Sequence, residues 1–304
     1  MEYRKLIVFG NSSYIITLPK RWVQKNSLNP GDLLSLEEST SGLLIMPKEV
    51  KANKQKPGEI SVDGKSNERI ETEIVSLYLT NCSSVDVYGK ELGEKIGFVK
   101  SVFKNLPGME IMEESSKRIS FKDLMDANEL SVKTIIRRID TIIRGMLEDA
   151  VCGEQESVTQ RDYEVNRLCF LCHRAIRNLM AGADAAHIEL LVDWQVVTRL
   201  EEIGDYAKAS AGFLKASHED ARIKKKLIDA YRITINAYLK AMKAYYESDS
   251  AACHELELET KRYITDNLSL LWMKHHPAAA RLVDCLNSIN TSVKMISRQI
   301  INLG

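Results

Sequence analysis

The sequence predicts a multidomain, mainly α chain. It has a small N-terminal β module, a short α/β middle segment and a C-terminal pair of tandem three-helix bundles. Three observations predict this. The 304 residues hold only 15 Gly and 6 Pro, which favours long uninterrupted elements. From about residue 121 onward, apolar residues recur at spacings of three and four, the helical period. Before that point the text is short β-branched runs separated by turn residues.

Residues 1–48 read as strands and turns. Leu6-Ile-Val-Phe9 meets Gly10-Asn-Ser-Ser13, and Tyr14-Ile-Ile-Thr-Leu18 follows. Pro19 opens a short helix over Lys20–Lys25, since it fixes φ and lacks only an amide that would be unpaired there. Asn29-Pro-Gly-Asp32 is a turn, and Leu33–Leu36 with Leu43–Met46 form a hairpin around Ser39-Thr-Ser-Gly42. Residues 49–66, rich in Lys with Pro57, Gly58 and Gly64, have the composition of a linker.

Residues 67–121 form the α/β connecting segment. Ile74–Leu79 reads as a strand, Gly89–Ile96 and Phe98–Asn105 as helical, and Met109–Glu113 and Arg118–Ser120 as two further strands. The helical text of 122–304 breaks into six helices, approximately 122–152, 157–182, 190–216, 220–248, 250–273 and 277–302. Short breaks between six helices give a bundle or two bundles of three. A repeat favours the second arrangement: Arg199-Leu200 recurs as Arg281-Leu282, 82 positions on, and Glu164-Val-Asn166 aligns with Glu257-Leu-Glu259. Under that alignment Glu201 meets Val283 and Asp205 meets Asn287, so the second unit is degenerate at its polar positions.

Charge and cysteine usage exclude several classes. Lys plus Arg and Asp plus Glu each number 42, so the chain is not a uniformly basic coat for nucleic acid. No apolar run reaches the roughly 18 residues of a membrane span, and Met1-Glu-Tyr-Arg-Lys5 leads straight into a strand pattern without a signal-peptide core. Six cysteines spread over this length read as buried free thiols. Together these features predict a cytoplasmic protein with no membrane insertion. No GxxxxGK(S/T) loop, nucleophile elbow or HExxH motif occurs, and no acid–base pair stands beside the acidic residues, so no enzymatic activity is expected.

The N-terminal charge is uneven. Between Met1 and Lys25 there are five basic residues and one acid, a net of +4. Fewer than 50 residues in short strands cannot bury a useful core alone, so a second copy is expected to complete the module. A dimer would present the basic cluster twice about a symmetry axis, as paired DNA half-sites require. Arg4-Lys-Leu-Ile-Val-Phe-Gly10, Ile16-Thr-Leu-Pro-Lys-Arg21 and Leu28-Asn-Pro-Gly-Asp32 resemble the AbrB/SpoVT (MazE-like) swapped-hairpin family over about 45 residues. The resemblance implies an intertwined homodimer that grips DNA through Arg4, Lys5, Lys20 and Arg21, with Asn11 and Ser12 as secondary contacts. The chain departs from the family at Gly10-Asn-Ser-Ser13, where an arginine is often kept.

In the helical half, Glu201, Asp205 and Lys208 share one stripe and Asp162, Asn166, Cys169 and His173 share another, by spacings of three and four. Two carboxylates at i and i+4 repel unless a cation or basic neighbour offsets them. Gly204 between them costs up to about 1 kcal/mol of helix propensity, which predicts a close approach to the backbone. Asp162-Tyr-Glu-Val-Asn166 followed by Arg199-Leu-Glu-Glu-Ile-Gly-Asp-Tyr-Ala207 resembles the PhoU family of phosphate-uptake regulators, over roughly 122–304. The resemblance implies two tandem three-helix bundles and E/D-x-x-x-D metal sites for divalent or iron-type ions. Glu201 and Asp205 satisfy that pattern; Asp162 and Asn166 do so with an amide in place of the second carboxylate. Glu255, Glu259 and Asp284 are secondary candidates in the second unit.

Cys169-Phe-Leu-Cys172-His173 matches a haem-attachment pattern, but Cys172 falls on the apolar stripe and no export signal precedes it, so no haem is expected. The combined expectation is a phosphate-responsive transcriptional regulator that binds DNA as a dimer. The alternative is an adaptor that negatively regulates a phosphate ABC transporter, through its ATPase, or a sensor kinase by protein contact alone.

Overall fold

The computed structural model describes residues 3–10, 13–39, 42–47, 57–125, 130–181, 187–216, 221–270 and 277–303. The chain divides into two units, Met1–Gln55 and Lys56–Gly304.

In the first unit β1 (Ile7–Phe9) and β2 (Ser13–Ile15) pair antiparallel, with Ile7 opposite Ile15. Gly10 turns the chain at φ +66°, a conformation glycine adopts without strain. Pro19 stands one position before helix α1 (Lys20–Lys25), where its carbonyl accepts from the Trp22 and Val23 amides. The Asn29–Asp32 turn is closed by two bonds, Asn29 N–H to the Asp32 carboxylate at 2.6 Å and Asp32 N–H to the Asn29 carbonyl at 3.1 Å. Strands β3 (Leu34–Ser39) and β4 (Gly42–Pro47) then form the second hairpin. None of residues 3–10, 13–36 and 42–47 is buried.

The second unit begins with an α/β layer pair. Strands β5 (Gly58–Ser61), β6 (Ser84–Tyr88), β7 (Met109–Glu114) and β8 (Arg118–Asp123) form one sheet in the order β5-β6-β8-β7. The β5–β6 pair is parallel and the others antiparallel. Helices α2 (Asn67–Leu79) and α3 (Leu92–Lys104) contribute Ile70, Ile74, Val99 and Phe103 to a core shared with Ile60, Val85, Val87 and Phe121 of the strands. Phe103 stacks on Phe121 with ring centroids 3.5 Å apart.

Two expectations are corrected here. Residues 57–66 are not linker: Gly58–Ser61 is a sheet strand, with Ile60 buried beneath α2. Ile74–Leu79 is not a strand but the second half of α2. Its β-branched pair Ile74-Val75 suggests a strand, yet Ile70, Ile74 and Tyr78 are buried at a spacing of four, and the Ser66 side chain caps the helix by accepting from Arg69 N–H.

Six helices follow: α4 (Val132–Cys152), α5 (Gln155–Ala181), α6 (His187–Ala216), α7 (Ala221–Glu247), α8 (Ser250–Leu270) and α9 (Pro277–Ile301). The first starts at Val132 rather than near 122, because 118–123 pairs as β8. Ser131 caps it and Gly153, at φ +81°, ends it. Helices α4, α5 and α6 pack on one another, as do α7, α8 and α9, and α6 against α9 joins the two sets. Their shared core runs through Ile139, Ile143, Val196, Leu200, Leu286 and Ile289.

The α/β layer is fastened to α5 by a buried ion pair. The Arg174 side chain is 1% exposed and meets Asp123, itself 3% exposed. Its Nε donates to Asn81 Oδ1 at 2.7 Å, and its guanidinium lies 4.6 Å over the Tyr78 ring. Asn81 in turn donates to Asn178.

Candidate functional site

The sequence-predicted acidic residues come together along the seam between α5 and α6. Asp162 is 2% exposed. Its Oδ2 accepts from Lys208 Nζ at 2.6 Å, while Oδ1 is buried with no hydrogen-bond partner among the described residues. Burial first, and then the charges of Asp205, Glu202 and Asp162, push the Glu201 carboxyl up from its ordinary value. Asp205 is raised by the same two causes, burial and then Asp162. Asn166 lies half-buried on the same face of α5, one turn from Asp162.

A metal cage would need several such donors converging on one point. Among the described residues, no group of three or more His, Cys, Asp or Glu side chains is placed to hold an ion. The nearest cation to Asp162 is already covalent: the Lys208 ammonium. The donor set as it stands therefore does not fit a bound metal.

Gly204 is buried in the seam, but a Cβ there would meet Val165 Cγ1 at 3.5 Å and Met146 Cε at 3.8 Å, ordinary contacts. The expected close approach to its backbone is thus not present. In the second set of helices, Glu255 and Glu259 line a groove with Lys240 and Lys243, and Glu259 binds Lys240 Nζ at 2.7 Å. Asp284 is exposed on α9, and Val283 is buried where the first unit has Glu201.

Cys169 and Cys172 are buried, and burial pushes both thiols up. The His173 ring lies 4.2 Å from the Trp194 ring, and burial lowers its pKa. The three residues are packing elements of the α5–α6 contact. The pair His275-His276 lies outside the described residues.

Two other buried carboxylates are not among the sequence-predicted residues. Asp140, 4% exposed, accepts from Arg144 Nε and Nη2 at 2.9 and 2.8 Å, from Tyr238 OH at 2.6 Å and from Tyr246 OH at 2.9 Å. Asp193, 2% exposed, accepts from Lys133 Nζ at 2.6 Å and Tyr245 OH at 2.5 Å. The tyrosines come from α7 and the carboxylates from α4 and α6, so both clusters bridge the two sets of helices. The only local signal is Asp140 sitting on an apolar stripe with Ile136, Ile139 and Ile143.

In the first unit Arg4, Lys5, Lys20 and Arg21 are all exposed. Asn11 and Ser12 lie outside the described residues. The apolar side chains beside these cations are exposed too: Leu6 66%, Val8 68%, Phe9 64% and Tyr14 65%. Residues 7–53 match the family model described as "Antidote-toxin recognition MazE, bacterial antitoxin". The N-terminal unit is MazE-like. The match begins at the first residue of β1 and runs past the second hairpin, through 47 residues that hold Lys20 and Arg21 but not Arg4 or Lys5.

The crystal structure of PhoU from Pseudomonas aeruginosa aligns with 57% of this chain and 91% of its own, at 16% identity and a TM-score of 0.44. At that identity and score the architecture of the helical half rests on its own packing. No curated protein matches the chain. Among the described residues no helix is long and apolar enough to cross a membrane.

Proposed function

We propose that this chain is a DNA-binding regulator that works as a homodimer through its MazE-like unit and whose helical body responds to phosphate status. One observation carries the reading: a unit with more than half of the surface of Leu6, Ile7, Val8, Phe9 and Tyr14 open to solvent and no buried residue among 3–10, 13–36 and 42–47. Apolar burial is worth roughly 25 cal/mol per Å², and one copy of this unit has almost none. A second copy laid on the hairpins would supply the missing core. The same pairing repeats Arg4, Lys5, Lys20 and Arg21 on the partner.

Phosphate contacts by such residues release counterions, with a salt slope of about −0.9 per neutralised phosphate. Phosphate response is supported by the Leu200–Ala207 motif and its Asp162 partner segment, which resemble PhoU regulators, and by the six-helix arrangement around them. This reading does not require a metal: Lys208 meets Asp162 across the seam. In the adaptor alternative the MazE-like unit only dimerises, and the helical body contacts a transporter ATPase or a sensor kinase.

The test is binding of the full-length protein to phosphate-transport promoter DNA against an unrelated duplex, at two salt concentrations, with and without phosphate. Sedimentation would give the oligomeric state in parallel. Selective binding by a dimer, lost in Lys20→Ala/Arg21→Ala, is the expected result. Weak binding equal on both duplexes and untouched by that double substitution would reject DNA regulation and leave the adaptor. A monomer at micromolar concentration would reject the dimer on which both depend.

A further inference from the structure

A cavity of about 540 Å³ opens where the two sets of helices meet, away from the acidic seam. It is lined by Lys133 and Arg137 of α4, by Tyr245 and Tyr246 of α7, and by the apolar Val192, Ile300 and Leu303. That volume suits a small organic ligand and is far larger than an inorganic ion needs. Two cations and three apolar side chains lining one cavity suit a molecule that is anionic at one end and flat and apolar at the other.

The charges are arranged in detail. Asp193 is not an open negative group: Lys133 and Tyr245 already hold it. Lys133 also donates to the Tyr245 hydroxyl at 3.0 Å and lies 4.6 Å over the Tyr245 ring. An ammonium has three donors, so one remains.

Arg137 differs from its neighbours. Arg138 binds Glu164, Arg144 binds Asp140 and Arg161 binds Asp149. Among the described residues Arg137 has no carboxylate; its guanidinium rests 4.6 Å over the Tyr246 ring. That ring is anchored by its hydroxyl on Asp140, so the guanidinium lies on a fixed platform with its planar donors available. A guanidinium fork matches the oxygens of a phosphate two at a time. Glu189 and the hydroxyl-bearing Ser248 and Ser250 complete the lining, and a carboxylate can accept from the exocyclic amine of a base.

We propose that this cavity binds a nucleoside phosphate. Its phosphate sits on Arg137 and the free donor of Lys133, and its base lies on Val192, Ile300 and Leu303 with an amine towards Glu189. The proposal is independent of DNA binding, which concerns the other unit.

Isothermal titration of the full-length protein with AMP, GMP and, separately, inorganic phosphate tests it. At least one nucleotide should bind. Arg137→Ala should weaken that binding by about tenfold or more, the loss of one charge-assisted contact. Leu303→Trp, at an exposed position that can fill the cavity, should abolish it, and Arg138→Ala should leave it within about twofold. Thermal unfolding of each variant confirms that it is folded. The proposal is overturned if neither nucleotide binds at about 1 mM. It is equally overturned if binding survives both Arg137→Ala and Leu303→Trp, or if inorganic phosphate binds as tightly as the nucleotides.

Discussion

Replacing Arg174 by Met keeps the apolar stem of the side chain and removes the guanidinium, with its charge, its hydrogen bonds and its contact over the Tyr78 ring. Asp123 then stays where it is, 3% exposed. Its Oδ1 would keep a bond from the Met125 amide at 3.0 Å, and Oδ2 would lose its only partner among the described residues. Breaking a buried ion pair from one side costs about 3–5 kcal/mol, because the remaining charge is left uncompensated. Asn81 would lose its bond from Arg174 as well, about 1 kcal/mol more. Removing both charges, in Arg174→Met/Asp123→Leu, should recover much of this, since an apolar pair of similar volume is often neutral there.

Urea unfolding followed by circular dichroism measures all three variants, and the double-mutant cycle isolates the coupling. Hydrogen exchange should rise in the single variant at β8, whose Ile119 and Phe121 lie under the α/β core. A single variant within about 1 kcal/mol of the parent, or a double variant no more stable than the single, would refute the reasoning.

Two further outcomes follow from the acidic seam. Gly204→Ala should stabilise by up to about 1 kcal/mol, since the new methyl meets only ordinary contacts and the helix gains propensity; a lower Tm would show that the space is not there. The Glu201 carboxyl is raised in the folded state, so between its ordinary value and its folded one the folded chain holds more protons, and stability falls as pH rises through that window. Glu201→Gln should therefore raise Tm at neutral pH and lose this advantage at about pH 4. An equal change at both pH values would overturn that account.

What the residues made legible depended on range. The six helices were readable because each carries its own apolar stripe over 20 or more residues, with breaks at turn-forming positions. The α/β segment was not. Gly58–Ser61 is four residues long, too short for a periodicity to register, and Ile74-Val75 looks extended until Ile70 and Tyr78 are counted with it.

The acidic seam was legible from spacing, since Asp162, Glu201 and Asp205 do face one another across α5 and α6. Its counter-ion was half visible: Lys208 lies on the Glu201 stripe, but its bond to Asp162 spans 46 positions. Asp140 was invisible as a site because Tyr238 and Tyr246 stand 98 and 106 positions away, and nothing local links them. Long-range polar pairs leave no period in a sequence; apolar faces do.

The Asp140 cluster bears on how the helical half can be divided. Two three-helix halves raise the question of whether either can stand alone. Here the first half has surrendered that independence. A chain ending after α6 would keep Asp140 and its Arg144 clasp but lose both phenols, and would uncover the side of α6 that α9 protects. Such a fragment should be insoluble when made alone and recoverable when the missing half is co-expressed. The two halves act as one unit, in which substitutions at Tyr238 or Tyr246 are felt by a carboxylate 98 and 106 residues upstream.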